Sequence, residues 1–330
     1  MKISAARAYL AVAITCLCME TTASMCQSEP GVLGNGHGLD HVGVVVRDLS
    51  QARQDFAALG FNLSPGGSFP GGLKNCGADF ANGTYIELLS VAEPHPGTAL
   101  AAGIKAFGEQ HEGAMFAGLD VSSAKETYAF LRGRHFEATD PNPSHWSKEG
   151  ETKPPPTRWF TVHFAEKPGA GMVSFVLPLF FIEYLNDKPS DQKAHDAAIR
   201  QPNTALGIHA VWFAVHDSQA ELRLLTGAGF AESGRTVKLF DVQGPEVRAG
   251  NGVLALLDSR DKRREPARYL VNHEEGIIAI SVQVSDLQAA KDSVESPLHT
   301  KLKTYKGSFG DSFLIPASYA HGLWIEMFEQ

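Results

Sequence analysis

The 330-residue sequence predicts an α+β fold made of four copies of one strand–helix–strand unit. A β-branched strand followed by a short amphipathic helix recurs, first as Leu39-Asp40-His41-Val42-Gly43-Val44-Val45-Val46 ahead of Asp48. The polar residue that opens each helix stands thirteen positions before a Phe in three copies: Asp48 to Phe61, Ser123 to Phe136, and Asp217 to Phe230. Closing strands end in Ile-Glu at Ile86-Glu87, Ile182-Glu183 and Ile325-Glu326. The fourth copy keeps its strand, Ile278 to Val284, and its helix start at Asp286, with Leu298-His299 in place of Gly-Phe. Periodicity of this kind defines architecture before any single residue does.

Taken in order, residues 1–24 are expected to be an export signal. Lys2 and Arg7 precede a short apolar run, and Thr21-Thr22-Ala23-Ser24 follow; the run is too short to cross a bilayer. Residues 25–38 read as a flexible lead. The first two units fill 39–187, where alternation marks the strand from His41 and Asp48 is placed as an N-cap. Pro94-His95-Pro96-Gly97 connects them. An insertion from Asp140 to Pro156 is long for a compact domain and reads as a lid. A linker at 188–205, with one helical turn near Ala194, leads to the third and fourth units at 206–330. The mixed charges of residues 258–265 read as a solvated connection.

A chain that is 43% apolar and 20% charged, with net charge −8 and no Lys/Arg run longer than three residues, is globular and ill suited to a nucleic acid, whose phosphates need clustered cations. No stretch supports stable membrane insertion, so a secreted or periplasmic protein is expected. With the signal removed, Cys26 and Cys76 remain. They either join, for about 4 kcal/mol on the chain-entropy account, or stay as two free thiols.

The strand Leu39-Asp40-His41-Val42, with Pro65-Gly66-Gly67, Phe180-Phe181-Ile182-Glu183-Tyr184 and Pro202-Asn203-Thr204-Ala205, resembles the glyoxalase-like group of the vicinal oxygen chelate superfamily. The resemblance implies βαβββ modules paired into two domains whose mixed sheets form clefts. It also implies a divalent ion, Fe, Mn, Zn or Ni, held by first-strand His and last-strand Glu. By that pattern His41, Glu87 and Glu183 are the metal ligands, and Glu183 and Glu326 the candidate catalytic carboxylates. The equivalent slots at Phe116, Ala279 and Ala255 carry no donor, so the full two-His, two-Glu set is missing.

Three Glu residues in very apolar strands need a reason, because an unpartnered buried carboxylate is costly. An ion held by one imidazole and two carboxylates would stabilise an oxyanion of a small oxygenated substrate, and an unligated Glu raised by apolar neighbours would serve as a base. His209 falls one residue out of register with His41 and on the wrong face unless its strand bulges. His321 and Tyr319 are weaker candidates for a second cleft, and His163 and His195 for lid or linker. Two functions compete: a metal-dependent isomerase, lyase or dioxygenase, and a non-catalytic protein that sequesters a small molecule.

Overall fold

The computed structural model describes residues 31–151, 156–165, 172–173, 177–185 and 192–330. The expected export signal and Cys26 lie outside these residues. The first part of the chain runs β1 (Gly38–Val45), α1 (Leu49–Ala58), β2 (Gly67–Ser68), β3 (Leu73–Asp79), β4 (Tyr85–Val91), α2 (Ala99–Gln110), β5 (Gly113–Asp120), α3 (Ala124–Gly133), β6 (Asn142–His145), β7 (Ser147–Lys148), β8 (Thr157–His163) and β9 (Leu179–Tyr184). After α4 (Gln192–Ala198) come β10 (Ala205–Ala214), α5 (Ser218–Gly227), β11 (Ala231–Leu239), β12 (Val242–Ala249), β13 (Gly252–Leu257), α6 (Glu265–Asn272), β14 (Gly276–Val284), α7 (Leu287–Leu298), β15 (Thr304–Lys306), β16 (Asp311–Ile315) and β17 (Trp324–Glu329).

The strands form two mixed sheets, ordered β6-β8-β9-β5-β1-β4-β3-β2-β7 and β11-β12-β13-β10-β14-β17-β16-β15. In each half-sheet the first and last strands of a unit pair in parallel: β1 with β4, β5 with β9, β10 with β13, β14 with β17. The two first strands of each sheet then pair antiparallel at its centre. An approximate twofold axis therefore passes between Val42 and Ala117 in one sheet and between Val211 and Ile280 in the other.

The four expected helix starts are real caps. Asp48, Ser123, Asp217 and Asp286 each accept hydrogen bonds from backbone N–H groups of the first turn, contributing about 1 kcal/mol apiece. The insertion does more than cover a loop. β6 and β7 lie at opposite edges of the nine-stranded sheet with only Trp146 between them in the chain, so residues 142–148 form a strap that joins the sheet's two edges, pairing with β8 on one side and β2 on the other. Residues 152–155 of the insertion lie outside the described chain.

The helix faces of the two sheets share one hydrophobic cluster, which includes Phe56 and Phe61 from the first and Phe213 and Phe313 from the second. His321 ties the halves together at this seam: Nε2 is 3.0 Å from Asp55 and Nδ1 3.2 Å from Glu112. It thus stands at the junction rather than in a second cleft. Cys76 is buried in the same cluster as a free thiol, which burial pushes up to about 11.

Candidate functional site

The register of the first sheet places the site residues in two rows on its concave face, because directly paired residues point the same way. One row runs Tyr85, His41, Gly118, Phe180, His163; the next runs Gly77, Glu87, Gly43, Phe116. His41 and Glu87 meet diagonally, with Nε2 3.7 Å from Oε2. The glycines make this possible. A Cβ on Gly118 would lie 2.5 Å from His41 Cε1, and one on Gly43 would lie 2.2 Å from Phe116 Cε2.

A β-bulge between Leu39 and His41 adds a partner that the alternating pattern would hide. It lets the Asp40 side chain reach its neighbour, and His41 Nδ1 donates to Asp40 Oδ2 at 2.6 Å. That bond fixes the ring and turns Nε2 toward Glu87. Asp40 also accepts from the Tyr184 hydroxyl at 2.9 Å, and Tyr85 lies 3.3 Å from Tyr184, oxygen to oxygen. The Tyr85 ring stacks on His41 at 4.5 Å between centroids. Glu87 accepts from Asn75 Nδ2 at 2.7 Å, and Asn75 Oδ1 accepts from Trp146 Nε1 at 2.9 Å, linking the strap to the carboxylate. Phe69, Trp159, Phe116 and Phe180 supply apolar walls around these groups.

Burial and charge act against each other here. Burial disfavours ionised Asp40, but hydrogen bonds from His37, His41 and Tyr184 hold its carboxyl below the usual range. Burial also disfavours charged His41, yet the Asp40 hydrogen bond and charge, with Glu87, raise its pKa. Glu87 is pushed up by burial, with His41 and Asn75 opposing. His163 is lowered by burial. The cleft therefore carries a low carboxylate, a raised imidazole and a raised carboxylic acid in contact, the divergence expected of acid–base groups.

Glu183 is not among them. The twofold that relates Gly43 to Gly118 relates Glu87, opposite Gly43, to Phe180, opposite Gly118. Matching Ile-Glu to Ile-Glu had placed Glu183 there, three residues away, and an odd shift on a strand changes face. Glu183 points to the helix layer and accepts from Ala124 N at 2.8 Å, capping α3. Its neighbour Tyr184 is the one that reaches the cleft.

Glu326 does occupy the slot equivalent to Glu87, opposite Ser281. It sits in a filled cleft. Trp212 stands where the first sheet has Gly43, donating to Ser281 Oγ at 2.7 Å, and Ser281 donates to Glu326. Tyr305 donates to the other Glu326 oxygen at 2.8 Å. Fully buried among neutral donors, Glu326 is raised by burial, with Ser281, Tyr305 and Ser312 opposing. The slots at Ala210, Ala255 and Ala279 are empty of donors, as expected. His209, however, lies at a bulge between Ile208 and Ala210 that repeats the one at Asp40, and its ring packs on Phe309 and Phe328, at 4.7 and 5.5 Å. The condition that would bring His209 to the cleft face is thus met.

Asp40, Tyr184, Asn75 and Trp146 are not singled out by the sequence, and His163, expected only as a lid or linker residue, stands in the cleft row beside Phe180. Asp40 was visible as the residue before His41, but nothing local marks a bulge, and the others depend on pairing across distant strands.

The donor set tests the implied metal. His41 is oriented through its far nitrogen by a carboxylate, as ligating histidines are. The two remaining ligand slots, however, hold Phe116 and Phe180, whose rings lie 6.1 and 5.4 Å from His41. Among the described residues no three His, Cys, Asp or Glu side chains gather as ligands. Two donors fall short of the three or more that hold a resident catalytic ion, so the residues present do not fit one.

A model of the family described as glyoxalase-like domain matches residues 39–228, more than half of the chain. No curated protein matches it. Several solved structures share the fold. A hypothetical protein from Staphylococcus aureus is 12% identical with TM-score 0.59, over 88% of this chain and 98% of that one. A mutant 4-hydroxymandelate synthase from Streptomyces coelicolor is 12% identical with TM-score 0.59, over 89% and 92%. The Mn(II)-bound glyoxalase from Novosphingobium aromaticivorans is 10% identical with TM-score 0.50, over 89% and 82%. The repeat, the paired sheets and the family match agree: this chain belongs to the glyoxalase-like domain family of the vicinal oxygen chelate superfamily.

Proposed function

We propose that the cleft of the first sheet binds a small oxygenated, ring-bearing molecule and transfers a proton on a carbon beside its carbonyl, in the manner of an isomerase or lyase. The observation that carries this is the contact of His41 with Glu87, with Asp40 holding His41 from behind. Glu87, raised by burial, takes the proton. His41, held protonated by Asp40, presents Nε2–H to the oxyanion that forms. The strap carrying Trp146 and the aromatic walls exclude water from the exchange.

Proton NMR in deuterium oxide tests this by following loss of the α-proton across a panel of aromatic 2-hydroxy and 2-oxo acids. Wild type should exchange at least one member and Glu87→Gln should not. Binding without exchange by any member would favour a sequestering protein.

The second reading is metal-assisted: His41 and Glu87, too few to keep a resident ion, would hold a divalent ion only once a substrate is bound, and the ion would supply Lewis-acid stabilisation of the oxyanion, a reading favoured by the orientation of His41 Nε2 and by the fold shared with a Mn(II)-bound glyoxalase. Exchange that is lost on chelation and restored by Mn(II) would select it. Residues 1–24 support export of the mature protein. No helix among the described residues is long and apolar enough to cross a membrane. Intact mass of protein recovered outside the cytoplasm should show a chain starting near residues 24–26, and retained Met1 would refute this.

A further inference from the structure

We propose a second ligand site, on the helix side of the first sheet, that takes a small organic dianion with a flat apolar body, a phosphate monoester being the simplest form. A groove of about 1040 Å³ lies between α1 and the outer faces of β3 and β4, and Arg47, Arg53 and Lys74 line it. Arg47 and Arg53 flank the start of α1, six residues apart, and the pairing of β3 brings Lys74 to them from outside any basic run.

The cations are available. None of the three forms an ion pair among the described residues' salt bridges, although the chain as a whole carries net charge −8. Arg53 is steadied by one donation to the Pro65 carbonyl at 3.0 Å and Arg47 by one from Nε to the Gly108 carbonyl at 2.8 Å. Each guanidinium keeps further donors, and a tethered guanidinium loses less freedom on meeting an oxyanion. The one carboxylate of the lining, Asp48, is engaged by the N–H groups of Ser50 and Gln51. Leu49, Phe61 and Leu63 form an apolar floor beside the cations. Charge at the rim and an apolar floor together select an anion attached to a ring, over either an inorganic anion or an uncharged ring. Strand alternation turns Lys74 and Ser90 away from Asn75 and Glu87, so this site and the cleft lie on opposite faces of the sheet.

The test is titration of the full chain with 1-naphthyl phosphate, followed by naphthyl fluorescence, beside 1-naphthol and inorganic phosphate. Naphthyl phosphate should bind more tightly than either control, and about 0.5 M NaCl should weaken it severalfold. The double charge reversal Arg53→Glu, Lys74→Glu should weaken it by roughly tenfold or more, since charge-assisted bonds become repulsions. Both residues are at the surface, and an unchanged melting temperature confirms the fold. Glu87→Gln should leave this binding untouched while abolishing the proton exchange above. Vesicles of phosphatidylglycerol, which present a phosphate in a bilayer, should not retain the protein. The site is overturned if naphthol binds equally, if charge reversal changes nothing, if Glu87→Gln removes binding, or if vesicles bind where naphthyl phosphate does not.

Discussion

Phe180 and Glu87 occupy equivalent positions across the pseudo-twofold of the first sheet, each facing a glycine of the neighbouring first strand, Gly118 and Gly43. The same axis pairs Phe116 with His41. At these four positions one half of the cleft therefore carries an imidazole and a carboxylate and the other half two phenyl rings, with the His163 ring stacked on Phe180 beyond them.

Restoring donors at both aromatic positions should convert the cleft into a metal site. Phe116→His with Phe180→Glu supplies the four donors that a first-row divalent ion favours. After incubation with Mn(II) and dialysis, the double variant should hold about one ion per chain and wild type well below that. Equal, stoichiometric metal in wild type would show that two protein donors suffice and would favour the metal reading.

Gly118→Ala should damage the site through His41. The added methyl would meet the imidazole at 2.5 Å, and a buried ring locked by Asp40 cannot move freely. Overpacking of this kind costs about 1–3 kcal/mol, measurable by urea unfolding. Proton exchange should fall with it. A variant as stable and as active as wild type would mean that His41 is free to shift.

Much of this architecture is legible in the sequence because local physics sets it. Asp48, Ser123, Asp217 and Asp286 cap their helices through bonds made within a few residues. The donor-free slots at Ala255 and Ala279 follow from the ligand pattern that the family resemblance implies, laid onto the repeat. The bulges at Asp40 and His209 do not, since a bulge is a property of two strands and leaves no mark on one. Glu183 was misplaced because its Ile-Glu dipeptide imitates a motif whose real register is set by pairing of Gly118 with Phe180. The helix α2 lies hidden behind Pro94-His95-Pro96-Gly97, although Thr98 caps it, and α6 begins at Glu265, the last residue of the expected solvated connection, with no sequence expectation of its own.

His37 should make stability depend on pH. Hydrogen bonds to Asp120 and Asp40 raise it from 6.5 to about 10 in the folded chain. A raised pKa means that its stabilisation is complete below about 6.5 and is lost as pH climbs toward 10. The stability gap between wild type and His37→Gln should therefore be largest near pH 6 and close by about pH 10. Urea unfolding of both proteins at three pH values measures it. A gap that widens with pH would contradict the assignment.

Glu87 and Glu183 should respond in opposite ways to the same substitution. Burial raises the pKa of Glu87, so near neutral pH its ionised form is held at a cost, and above the ordinary carboxylate range the folded state loses stability by keeping it. Glu87→Gln retains an oxygen for Asn75 and removes that cost, so the variant should be as stable as wild type or more so while losing proton exchange, the trade expected where function maintains an unfavourable group. Glu183 instead caps α3 through Ala124 N. Gln there weakens a charge-assisted bond at a helix N-terminus, costing about 0.5–1 kcal/mol, while exchange persists because the side chain faces the helices. Melting temperature and exchange rate measured together on the two variants decide the matter. Loss of exchange in Glu183→Gln at unchanged stability would return Glu183 to the site, and a large destabilisation by Glu87→Gln would make Glu87 a structural carboxylate.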